Sequence, residues 1–91
     1  MIRKTLRVQN GTGLHLRPAG ILCEAAGRYA CRILLLRAGE EINAKSVLSV
    51  LAAGVKAGEE LELLCDGADE REAADAITRL FEERFAPDGC A

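Results

Sequence analysis

The chain opens on an alternating stretch. Ile2, Leu6 and Val8 share one side with Lys4 as the polar exception, while Arg3, Thr5 and Arg7 take the other. A period of two predicts a strand over about residues 2–8 with one buried face. Asn10-Gly11-Thr12-Gly13 breaks it, since two glycines so close together let the backbone turn where a Cβ would clash. The period then changes. Ala19, Leu22, Cys23 and Ala26 recur at helical spacing, predicting a helix from about Leu16 to Gly27. Pro18 suits its first turn, where a missing N–H costs nothing, and Gly27 is its stop. Residues 31–37, rich in Ile and Leu, and 41–43 predict two strands joined by a turn at Ala38-Gly39-Glu40. Ser46 stands as N-cap before a two-turn helix bearing Val47, Leu48, Val50 and Leu51. Residues 59–65 alternate again, with Leu61, Leu63 and Cys65 inward and Glu60, Glu62 and Leu64 on a wet face. Asp69 and Glu72 have capping-box spacing. Ala73, Ile77, Leu80 and Phe81, continued by Arg84 or Phe85, line one face of a helix over about 70–85, stopped by Pro87-Asp88-Gly89.

The order is strand, helix, strand, strand, helix, strand, helix. Strands with one polar face imply an α+β fold, an open antiparallel or mixed sheet with helices on its other side. The nearest generic unit is β-α-β-β-α-β with an extra final helix. A chain of 91 residues suits one core: a single domain over 1–91, core about 2–85, with 86–91 a flexible tail. Two features exceed what folding needs. Gly20 inside the first helix costs about 1 kcal/mol relative to Ala, which fits either tight internal packing or close approach of something over the helix's outer face. The second helix is apolar over more than one face, so some of it is exposed, as core packing alone or as a docking patch.

Charge and cysteines narrow the function classes. Twelve Lys and Arg against 14 Asp and Glu give −2, with the bases scattered and the second half acidic, unlike the basic stripe of a general nucleic-acid binder. The strands also lack the stacking aromatics of an RNA-binding sheet. Cys23, Cys31, Cys65 and Cys90 form no CxxC pair, so they read as free thiols in a reducing compartment. One histidine without clustered acids or thiols makes no closed metal site, and no P-loop or GxGxxG pattern is present. Residues 1–10 alternate without a long apolar core and do not read as a signal peptide, and the longest apolar run, Ile33 to Leu36, is too short for a bilayer. A cytoplasmic protein without cofactor or membrane insertion is expected.

Chemistry concentrates at Gly13-Leu14-His15-Leu16-Arg17-Pro18. His15 stands just before a helix whose first-turn amides point back toward it. An anion held there gains from those donors and from the helix's positive end. Arg17 adds a guanidinium fork suited to phosphate. Pro18 has no N–H, so the donors come from neighbours such as Leu16 and Arg17. A neutral imidazole has a free lone pair, and phosphorylating it makes a reactive P–N bond. Phosphoryl transfer then needs mainly positioning and charge compensation. The plain alternative is a surface or capping histidine with no chemistry.

At these residues the sequence resembles HPr, the histidine phosphocarrier family of the bacterial sugar phosphotransferase system. Gly13-Leu14-His15 and Arg17-Pro18-Ala19 resemble its active-site signature. Asn43-Ala44-Lys45-Ser46, Gly54 and Gly58 resemble its second marker region. The resemblance, over about residues 2–85, implies an open-faced β-sandwich in which a four-stranded antiparallel sheet, order 1-4-2-3, carries three helices on one face. It implies phosphorylation of His15 on Nδ1 with Arg17 stabilising the phosphate, and Ser46 as a regulatory phosphorylation site, although an ordinary N-cap explains that serine too. Partner docking would fall on Leu16, Gly20, Glu24, Val47, Leu48 and Leu51. The implied partners of this monomer are enzyme I, charged by phosphoenolpyruvate, the IIA domains of sugar permeases, HPr kinase/phosphorylase and a catabolite-control transcription regulator. Such a carrier is not a stand-alone enzyme. A regulatory paralogue acting by protein binding, without feeding sugar transport, is the alternative. Leu16 is bulkier and Gly20 smaller than the family's usual residues.

Overall fold

The alternating segments pair into one antiparallel sheet. In the computed structural model, which describes residues 1–9 and 13–84, the chain runs β1 (Ile2–Arg7), α1 (Leu16–Ala26), β2 (Arg32–Arg37), β3 (Glu40–Asn43), α2 (Val47–Ala53), β4 (Glu60–Asp66) and α3 (Glu70–Arg79). The turn expected through Asn10, Gly11 and Thr12 lies outside the described residues. So do Phe85, the Pro87-Asp88-Gly89 stop, Cys90 and the tail. Strand order is β1-β4-β2-β3, all antiparallel, and three helices cover one face. This is the open-faced α+β sandwich.

Register places Ile33 opposite Cys65, and Leu35 between Leu63 on one side and Ile42 on the other. These side chains meet Ala19, Leu22, Cys23 and Ala26 of α1, Val50 of α2, and Ala73, Ala74 and Ile77 of α3 in one cluster. Each fully buried Leu or Ile there contributes about 1.5–3 kcal/mol by removal from water. Phe81 closes the cluster at its end. Lys4, the polar exception in β1, ion-pairs with Asp75 of α3 at 3.6 Å. On the open face Arg7 pairs with Glu60 and Arg3 with Glu62. Such exposed pairs contribute little to stability. Ala38 (φ 49) and Gly39 (φ 86) make the two-residue turn between β2 and β3, the twist-compatible geometry with positive φ at both positions.

Three expectations need correction, and one open alternative is decided. Leu64 is buried (8 % exposed), as is Leu34 (7 %). They face each other across the two central strands on the side without helices, where neighbouring strands flank both. The capping box does not form. Asp69 is the N-cap of α3 but makes no side-chain cap bond; its carboxylate accepts from the Ala30 and Cys31 amides, each at 2.8 Å, tying α3 to the start of β2. The last helix ends at Arg79 and passes into a π turn, Leu80–Arg84. Gly20 does not mark tight internal packing: a Cβ built on it meets nothing within 4 Å.

Three cysteines, Cys23, Cys31 and Cys65, are buried free thiols. Burial raises all three, and pushes Cys65 to about 11. No helix of the described residues is long and apolar enough to cross a membrane.

Candidate functional site at the mouth of the first helix

His15 is the N-cap residue of α1, with extended backbone (φ −87, ψ −162) and no side-chain cap bond. Its carbonyl accepts the first helical bond from the Ala19 amide at 2.9 Å, while the residue itself is exposed. Pro18 is the third helical residue and is buried. It therefore anchors the first turn while offering no donor, leaving the Leu16 and Arg17 amides as the first-turn donors without an intrahelical acceptor. Arg17 is exposed on the same turn, and no acidic residue lies there. The mouth thus combines an exposed histidine and an exposed arginine with the first-turn amides of a helix whose first turn holds no acidic residue.

The loop before His15 rests on a shelf formed by the segment after α2. The Leu14 amide donates to the Val55 carbonyl at 3.0 Å, and Leu14 and Val55 are both buried. Gly13 has φ +75, and a Cβ there would lie 2.5 Å from the Val55 oxygen and 3.0 Å from Lys56 Cα. Only glycine permits both that conformation and that approach. Two close glycines in the sequence hinted at a tight turn, but nothing in the sequence pointed to Val55 as its partner.

Ser46 caps α2 as expected: its Oγ accepts from the Ser49 amide at 3.2 Å. Asn43 Oδ1 accepts from the Lys45 amide and the Asn43 carbonyl from the Ser46 amide, which folds the second marker region into a compact turn. Of the apolar docking residues, Leu16 and Leu48 are the most exposed (68 % and 79 %). Glu24 is exposed and Gly20 partly so. Val47 and Leu51 are half-buried, packed against the core. Leu16, Gly20 and Glu24 follow one line along α1, and α1 lies beside α2. Among the described residues no His, Cys, Asp and Glu cluster could hold a metal ion.

Residues 2–83 match the sequence family described as "PTS HPr component phosphorylation site". The chain is similar to the phosphocarrier protein HPr of Treponema pallidum (strain Nichols), 45 % identical over 85 residues, covering 93 % of this chain and 97 % of that one. It is also similar to the HPr-like protein Crh of Bacillus subtilis (strain 168), at 31 % identity over 91 % and 98 % of the two chains. The crystal structure of HPr-C-His from Thermoanaerobacter tengcongensis superposes with a TM-score of 0.89 at 34 % identity, over 93 % and 96 % of the chains. The chain belongs to the HPr family of phosphocarrier proteins of the phosphotransferase system.

Proposed function

We propose that the protein accepts a phosphoryl group on His15 from phosphorylated enzyme I and passes it to IIA domains of sugar permeases. The observation that carries this reading is the exposed His15 as N-cap of a helix whose first turn bears Arg17 and no acidic residue. The Nδ1 lone pair attacks phosphorus, the bond to the donor breaks, and a P–N bond forms. Arg17 and the Leu16 and Arg17 amides offset the phosphoryl charge. Transfer onward is the same displacement with the acceptor as nucleophile.

The exposed Leu16 and Leu48, with the open notch at Gly20, suit transient docking of enzyme I and the IIA domains. Val47, Leu51 and Glu24 border them. Ser46 serves as a regulatory phosphorylation site for HPr kinase/phosphorylase. A phosphoserine adds about −1.5 to −2 charge at the edge of that apolar surface, which a partner shaped for the neutral form must desolvate. The likeness to Crh, described as a catabolite repression HPr, favours a second reading, a regulatory carrier that binds a transcription regulator without feeding transport.

Incubation with enzyme I and phosphoenolpyruvate is expected to give one acid-labile phosphate, absent from His15→Ala. A wild-type protein that stays unmodified overturns the reading. Transfer from the phosphorylated protein to a IIA domain separates the transport carrier from the regulatory one.

A further inference from the structure

Arg37 ends β2 on the side facing the helices, following inward Ile33 and Leu35, and its guanidinium has three acceptors. Nη2 donates to the Ala53 carbonyl at 2.7 Å and to Glu40 at 2.8 Å, while Nη1 donates to Glu59 Oε1 at 3.2 Å. Ala53 is the last residue of α2, and Glu59 immediately precedes β4. Arg37 therefore holds both ends of the loop 54–58 at once. Glu59 grips the loop from inside: its Oε2 accepts from the Lys56 amide at 2.7 Å, and its own amide donates back to the Lys56 carbonyl at 3.2 Å. The Lys56 amide is the first cause, and Arg37 a lesser one, of a Glu59 carboxyl held below its ordinary range. The Glu59 carbonyl also accepts from the Val8 amide at 3.0 Å, and the Gly58 amide donates to the Val8 carbonyl at 2.7 Å. Within this braced loop lies Val55, whose carbonyl accepts from the Leu14 amide and sits close against Gly13.

We propose that Arg37 and Glu59 are positioning residues for phosphoryl transfer, acting by bracing the loop 54–58 that sets the backbone entering His15. The hydrogen bonds of both side chains run to Glu40, to the Ala53 carbonyl, to the Lys56 amide and to each other, and to no residue of α1. They act on the orientation of the imidazole and leave partner affinity alone. A planar fork with separate donors spans two anchors at the loop's ends. A lysine ammonium in its place is a point donor that holds one of them. Because rates of oriented reactions fall steeply with small misplacements, a loosened shelf is felt at His15 without any lost contact to the phosphate.

The inference rests on the carrier reading, and two readouts keep them apart. In the enzyme I and phosphoenolpyruvate assay, Arg37→Met is expected to lower kcat by about tenfold with an unchanged KM for the carrier, since misplacement of a reacting group acts on the chemical step. Arg37→Lys recovers part of the loss. Independently of any enzyme, hydrogen exchange at the Leu14 amide is expected to accelerate in Arg37→Met while amides within β4 keep their protection. If Arg37→Met does not fold, Glu59→Gln carries the test, with the same signature at smaller amplitude. A folded Arg37→Met with unchanged kcat and unchanged Leu14 exchange overturns the proposal, as does a loss confined to KM. If the wild-type chain is not phosphorylated, the carrier reading falls, while Leu14 exchange still decides whether the brace exists.

Discussion

The mouths of α1 and α3 use the same backbone device to opposite ends. At α3 the N-cap is Asp69, and Glu70 and Glu72 occupy the first turn. Glu70 also accepts from the Gly67 amide at 3.0 Å and from the Met1 amine at 2.8 Å. Negative charge is built in, and the end is committed to holding the fold. At α1 the N-cap is a histidine and the first turn has no acid, so that turn carries no negative charge of its own behind the candidate nucleophile. A helix end that supplies its own anion is structural. One that withholds it is available for an anion from outside.

The sharpest way to break this contrast is to give α1 what α3 has. Arg17→Glu places a carboxylate in the first turn and removes the guanidinium. Phosphorylation of His15 by enzyme I is expected to slow by about a hundredfold, the scale of losing a preorganised charge partner. The melting temperature should hold or rise, because an acid near a helix N-terminus stabilises by about 0.3–1 kcal/mol. A variant that is phosphorylated at the wild-type rate would remove the contrast.

The converse test is at α3. The Asp69 carboxyl is held below its ordinary range chiefly by the Ala30 amide, then by the Cys31 thiol and amide. A depressed carboxyl takes up its proton in the unfolded state first, so its stabilisation is present above the unfolded value, near 3.8, and is lost as pH falls through the folded one. Asp69→Asn should therefore melt several degrees below wild type at pH 7, with the gap closing in thermal scans taken below pH 4. Phosphorylation kinetics at His15 should be unaffected. A gap that persists undiminished in acid would show that the carboxylate's charge is not what ties α3 to β2.

The smallest expected effect lies on α1 itself. Gly20→Ala should stabilise the fold by about 0.5–1 kcal/mol, since the added methyl meets nothing within 4 Å. If the notch serves a partner, the KM for enzyme I rises in the same variant. A destabilised Gly20→Ala would restore the internal-packing explanation of the glycine.

What the sequence revealed and concealed divides along local and distant lines. Every strand and helix was legible because period and caps are local: Ser46 caps α2 as its position suggested, and Lys4 marked a real break in the inward face of β1. The spacing of Asp69 and Glu72 was equally plausible, yet Asp69 turns to amides 38 and 39 residues away, a competition no local window contains. Leu64 misled for a similar reason, since its burial comes from Leu34 across the sheet. The order 1-4-2-3 came from family resemblance, because alternation gives faces but not neighbours. At the site, His15, Arg17 and the helix start were adjacent in sequence. The shelf at Val55 and its brace at Arg37 and Glu59 were not, and backbone acceptors leave no mark on residue identity.

The distribution of nucleophiles has a practical corollary. Cys23, Cys31 and Cys65 are enclosed by the core, with thiols raised by that enclosure, whereas His15 is an exposed residue. Electrophiles that alkylate thiolates reach these sulfurs only when the domain opens. Their labelling kinetics therefore time the breathing of the fold, on the same sample in which phosphohistidine reports the chemistry.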